Sequence, residues 1–152
     1  MNSLINVVLI FLSFTAYSQS DTVRSKVYAQ CDKLLNAISV DQGVEVDWSV
    51  VDQVFIPDAK LTMVGVSNGK SVSYSFGLEQ FKAVDTYTKN GFEEKALKRE
   101  IWTTPNIAIV KEEFKATVKS TGAIETGVNF YTFIYVAGQW RIKTLAWESF
   151  KL

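Results

Sequence analysis

The chain carries six tyrosines, sixteen acidic and sixteen basic side chains, a single cysteine and no histidine. Histidine is the usual general base near neutral pH and the commonest metal ligand. Its absence excludes serine–histidine and cysteine–histidine nucleophiles and histidine–aspartate relays. With one cysteine besides, no zinc site, no other metal and no cofactor is expected. What remains is carboxylate and tyrosine chemistry, in which an ionised acid takes a proton and a Tyr or protonated acid holds the developing oxyanion. Three acids are candidates for that work: Asp58, Glu112 and Glu148. Asp58 follows Pro57 and reads equally as a solvated turn acid. Glu112 interrupts an apolar series, so it is either paired or turned outward by a bulge, and the bulge is preferred. Glu148 ends a strand beside Trp147 and reads more simply as a surface acid.

The elements that must position these residues follow from hydrophobic periodicity. Val23, Val27, Cys31, Leu34, Leu35 and Ile38 recur at helical spacing and predict a helix over Asp21–Ser39. Cys31 on that stripe reads as a small buried side chain in preference to a reactive thiol. A shorter helix around Trp48–Phe55 should end at Pro57. Strands over Ala59–Val66 and Ser71–Ser75 flank Asn68-Gly69, a dipeptide that tolerates the positive φ of a tight hairpin. A third helix is expected over Gly77–Lys89, and then four long antiparallel strands: Phe92–Thr103, Asn106–Lys119, Glu125–Val136 and Gln139–Glu148. The charged run from Glu93 to Glu100 could form a helix, but an edge strand is preferred.

Alternation sets the faces of these strands. Ala108, Val110, Phe114 and Ala116 share one face of the second, Val128, Phe130, Thr132 and Ile134 one face of the third, and Trp140 and Ile142 one face of the fourth. By the same count Asn129 and Arg141 point away from the inward side chains. Ile107, Ile109, Tyr131, Phe133 and Tyr135 make the opposite face apolar too, so one side should take the helices and the other a second subunit.

Hydrophobic residues form 47% of the 152-residue chain, enough to exclude disorder and to build one domain. Equal numbers of acids and bases leave no net field, which disfavours nucleic acid as a partner. The apolar run Leu4–Phe14 followed by Ala16-Tyr17-Ser18 predicts a signal peptide over 1–18, cleaved before Gln19. That run is too short for a permanent membrane anchor, so an exported protein, periplasmic or secreted, is expected.

The order of elements resembles that of the nuclear transport factor 2-like superfamily. The resemblance rests on Phe55-Ile56-Pro57-Asp58 at the close of the second helix, on Gly127-Val128-Asn129-Phe130, and on the run from Gly138-Gln139-Trp140-Arg141-Ile142 to Trp147-Glu148. These stretches are similar to small bacterial members related to SnoaL-like polyketide cyclases. It implies an NTF2-like domain over 19–152 of α+β class, with three N-terminal helices packed on a strongly curved, mostly antiparallel sheet, a cone-like, cystatin-like roll. Members include steroid isomerases, dehydratases, epoxide hydrolases and proteins that only bind or dimerise. Asp58 would then lie near the mouth of the cone. A cavity in that cone would be lined by Phe55, Phe76, Phe81, Trp102, Phe114, Phe130, Trp140 and Trp147, with Thr132 and Tyr87 to orient a small apolar ligand; the alternative is that the aromatics pack on one another as core. The expected function is apolar-ligand binding, homodimerisation, or both; the rival is an isomerase- or hydrolase-type enzyme working by carboxylate and tyrosine. An epoxide-hydrolase relay of Asp-Arg-Asp with Asn has little support, because Arg141 and Asn129 should face outward.

Overall fold

The computed structural model describes the backbone of residues 3–151 and the side chains of residues 21–150. The leader expected over 1–18 lies outside the residues whose side chains are described. Among the described residues no helix is long and apolar enough to cross a membrane.

Helix α1 (Ser3–Ile38) leads to α2 (Trp48–Val54), then strands β1 (Phe55–Ser67) and β2 (Lys70–Gly77). Two short helices, α3 (Leu78–Lys82) and α4 (Thr86–Asn90), precede the strands β3 (Phe92–Thr103), β4 (Ile107–Val118), β5 (Ala123–Val136) and β6 (Gln139–Lys151). The class is α+β, as expected, but only two helices precede the sheet. The third stretch lies between β2 and β3 and is broken at Ala83–Asp85, which lets Tyr87 turn its ring edge-on to Trp48, Phe81 and Phe92.

One open sheet of six strands runs β2-β1-β6-β5-β4-β3. Every pairing is antiparallel except β1 with β6. Asn68 and Gly69 both take positive φ, 52° and 73°, in the β1–β2 turn, as their types demand. Pro57 does not end α2. Asp47 caps that helix by accepting from the Ser49 amide at 3.0 Å, Val54 ends it, and Pro57 falls in the irregular stretch where β1 slips register against β6 between Phe55 and Lys60.

The core lies between the helices and one face of the sheet, here called the inner face. Val27, Cys31, Leu34 and Ile38 of α1 pack with Val51, Val54, Leu61, Phe81, Val110 and Phe133. Strand β4 turns Ala108, Val110, Phe114 and Ala116 inward as its alternation predicts. Strand β5 does not follow prediction: Asn129, Tyr131 and Phe133 are buried, while Phe130 is 49% exposed. The cause is register. Glu112 sits opposite Asn129, Val110 opposite Tyr131 and Ala108 opposite Phe133, and residues directly opposed in an antiparallel pair share a face. Both faces of β5 are apolar, so alternation alone left its direction open.

Two bulges reset the alternation elsewhere. In β3, Leu97 has no partner, because Ala96 pairs with Phe114 and Lys98 with Glu113. In β6, Lys143 is the extra residue between Ile142, opposite Phe133, and Thr144, opposite Thr132. The second bulge allows Trp140, Ile142, Leu145 and Trp147 to face inward together.

Candidate functional site

The bulge at Leu97 creates the most polar part of the interior. Glu94 and Arg99 are an odd number of residues apart and would face opposite sides of a regular strand. The inserted residue turns both to the inner face, toward β4 and β5. There Glu112, 0% exposed, is the central acceptor. Arg99 Nε donates to Glu112 Oε2 at 2.5 Å, and the Tyr131 hydroxyl donates to Glu112 Oε1 at 2.8 Å. Asn129 Nδ2 lies 3.1 Å from Glu112 Oε1, 3.1 Å from the Tyr131 hydroxyl and 2.8 Å from Glu94 Oε1. Helix α1 supplies the other side of Arg99. Asp32 Oδ1 is 2.7 Å from Nη2, an ion contact that lacks directed hydrogen-bond geometry, and the Tyr28 ring lies 5.3 Å from the guanidinium carbon.

The electrostatics follow from this packing. Burial works against the Arg99 charge, but Asp32 and Glu112 outweigh it and hold the guanidinium firmly protonated. Burial, reinforced by the adjacent Glu112, pushes the Tyr131 hydroxyl far up, so it remains a donor. Glu94 differs. Burial raises its carboxyl to about 7, against the Asn129 hydrogen bond and with the help of the Glu112 charge. Burial, then the Glu94 charge, raises the Tyr87 hydroxyl, and burial does the same to the Cys31 thiol.

Glu112 therefore points inward without a bulge in its own strand, stabilised by the pairing that was the less favoured alternative. The other two acids do not join it. Asp58 is exposed and accepts from Lys143 Nζ at 2.6 Å, a bond that holds its carboxyl below the usual range. Glu148 is half-buried and sits opposite Val128 and Val64. Asn129, expected to face out, is at the centre of the network; Glu94 and Arg99 are not among the expected site residues.

The aromatic set divides in the same way. Phe55, Phe81, Phe114 and Trp140 are buried. Their rings, with those of neighbours, pack on one another: Phe55 on Phe81 at 6.4 Å, Phe76 on Trp147 at 5.8 Å and Trp140 on Tyr135 at 5.3 Å between centroids. Phe130, Thr132 and Trp102 belong to the outer face. Trp102 pairs with Ile109, which pairs with Thr132, and Trp102 is 56% exposed. Trp102 nevertheless borders an open space. A groove of about 530 Å³ runs between α1 and β3, lined by Arg24, Tyr28, Arg99, Glu100, Ile101 and Trp102. Among the described residues no group of His, Cys, Asp or Glu could hold a metal ion.

No family model matches the sequence, and no curated protein matches it. Solved structures do. An NTF-2-like protein of unknown function from Silicibacter pomeroyi superposes with a TM-score of 0.58 at 15% identity, covering 86% of this chain and 98% of its own. A protein of unknown function with a cystatin-like fold from Nostoc punctiforme gives 0.63 at 10% identity, covering 84% and 90%. A candidate scytalone dehydratase from Novosphingobium aromaticivorans gives 0.67 at 13% identity, covering 88% of each chain. At such identities the likeness is one of fold, and the fold of this chain is that of the nuclear transport factor 2-like proteins.

Proposed function

We propose that this chain is an exported, cone-shaped domain that binds a small apolar, ring-bearing ligand in the groove between α1 and β3. The single observation that carries this reading is that Trp102, more than half exposed, and Tyr28 both line an open groove of about 530 Å³. Of the acids beside it, Glu100 lines the groove and pairs with Lys98, and the buried Glu112 is sealed by Arg99, Tyr131 and Asn129, which favours a structural role for that carboxylate over catalysis. Arg24 and Arg99 bring positive charge, but Asp21 and Asp32 accompany them, so the groove suits a neutral aromatic body better than an anion. The probe is the neutral fluorescent dye N-phenyl-1-naphthylamine. Wild type is expected to bind it, and Trp102→Ala to bind about tenfold more weakly, the size of one lost aromatic contact. Equal affinity in the two proteins would remove the groove as the site.

The outer face supports a second part of the proposal, a homodimer. Ile107, Ile109, Phe130 and Val136 are all more than two-fifths exposed on the outer side of β4 and β5. Light scattering should report twice the chain mass for wild type and a single mass for Phe130→Glu; a wild-type monomer rules the dimer out.

The rival reading, an isomerase- or hydrolase-type enzyme without histidine, is favoured by one observation: Glu94, held at about 7, lies within the Asn129–Tyr131 network. That reading requires Glu94→Gln to abolish turnover while leaving dye binding intact.

A further inference from the structure

We infer that Glu94 and Glu112, joined through the one amide of Asn129, form a proton-responsive clasp: Glu94 gives up its proton to solvent as pH rises, and the first half of β3 loosens from the inner face. The inference does not depend on the ligand reading above.

The two carboxylates are not equivalent. Glu112 faces a cation, Arg99, and receives the Tyr131 hydroxyl. Among the described residues no cation lies within ion-pair distance of Glu94, although its neighbours Glu93 and Lys95 pair with each other. The groups that face it are the Asn129 amide and the Tyr131 hydroxyl from β5, the Glu112 carboxylate from β4 and Tyr87 from α4. Its backbone amide donates to Ser39 Oγ, just past the end of α1, at 3.1 Å. Arg99, on its own strand, is committed to Glu112 and Asp32. Two carboxylates flanking one amide cannot both be charged without repulsion, and the one lacking a cation is the one that takes the proton. Protonation costs Glu94 no hydrogen bond, since its carbonyl oxygen still accepts from Asn129.

The location gives this proton a mechanical consequence. β3 is an edge strand with β4 as its one strand neighbour; beyond that the backbone of its first half is held, among the described residues, only by a single bridge from Phe92 to Val40 and the Glu94 amide on Ser39, and Leu97 interrupts the pairing with β4 just beyond Glu94. Edge segments of this kind open at lower cost than the centre of a sheet. Opening returns Glu94 to water and to an ordinary carboxyl of about 4.5, from the value near 7 that burial gives it in the closed form. Between those limits the closed form holds the extra proton, so closure is strongest in acid and weakens as pH rises toward 7. Above that both forms are ionised and the effect levels off.

The test is amide hydrogen exchange on the intact chain across pH 5 to 8, corrected for intrinsic rates. Protection of Phe92–Ala96 in wild type should fall by up to about tenfold per pH unit between pH 5 and 7 and then level off, while Glu94→Gln shows no such slope. A flat wild-type profile, or a parallel slope in both proteins, overturns the clasp. Carboxyl-carbon NMR on wild type tests it independently of whether the variant folds: Glu94 should titrate near 7, and an ordinary midpoint near 4.5 would sink the idea.

Discussion

Replacing Arg99 with Met is expected to cost about 3–5 kcal/mol of folding stability, the usual penalty for leaving a buried charge without its partner. In wild type the guanidinium compensates Glu112, a carboxylate with no solvent contact, at 2.5 Å. Without it, Glu112 faces only neutral donors, Tyr131 and Asn129, and has Glu94 on the far side of that same Asn129 amide. Glu112→Leu should cost a similar amount for the reciprocal reason, Arg99 keeping only the half-exposed Asp32. The double variant Arg99→Met/Glu112→Leu removes both charges and is expected to regain most of the loss, because Tyr131 and Asn129 still reach each other at 3.1 Å. Urea denaturation of the four proteins measures this. Strict additivity would mean that the pair is not coupled, and a cost below 1 kcal/mol for Arg99→Met would mean that water reaches Glu112.

The dependence on Arg99 also shows where sequence and structure part. The α1 stripe and the inward face of β4 were legible because each has one apolar side and one polar side. Glu112 was legible as an anomaly on such a face. Its partners were not. Asn129 and Tyr131 lie on a strand that is apolar on both sides, so nothing in β5 alone says which side is in; only its register against β4 decides that. Glu94 and Arg99 were hidden by Leu97, since a reader counting by twos places them on opposite faces. A signal did exist. Leu97 stands in a run of charges and is 62% exposed, an odd place for leucine in a regular edge strand and an ordinary one for the outward residue of a bulge. Trp102 was misplaced for a related reason: an aromatic next to Ile101 looks like core, yet the alternation that carries Arg99 and Ile101 inward carries Trp102 out. The order of elements, by contrast, survived these errors, because it depends on turns and helix ends and not on parity.

Gly127→Ala tests how tightly the inner face is closed beyond the polar network. A Cβ at this position would run into the Phe114 ring and the Glu148 carbonyl oxygen, so the methyl group has no vacant space. Gly127 sits opposite Phe114 on β4 and Ser149 on β6, and the missing side chain is what lets the Phe114 ring lie across β5. Its φ is not in the left-handed region, so the requirement is one of close approach and not of backbone conformation. The substitution is expected to cost about 3 kcal/mol, the upper end for overpacking a filled core, because one of the two obstacles is backbone and cannot rotate away. Shortening the ring separates the two obstacles. Phe114→Leu/Gly127→Ala should lose less than the sum of the single variants, yet remain less stable than Phe114→Leu alone, since the Glu148 carbonyl is still in the way. If the double variant matched Phe114→Leu, the ring would be the whole obstacle; a single-variant cost near zero would show that β5 and β6 can spread at this point, and the inner face would then be more open than the packing of Phe114 implies.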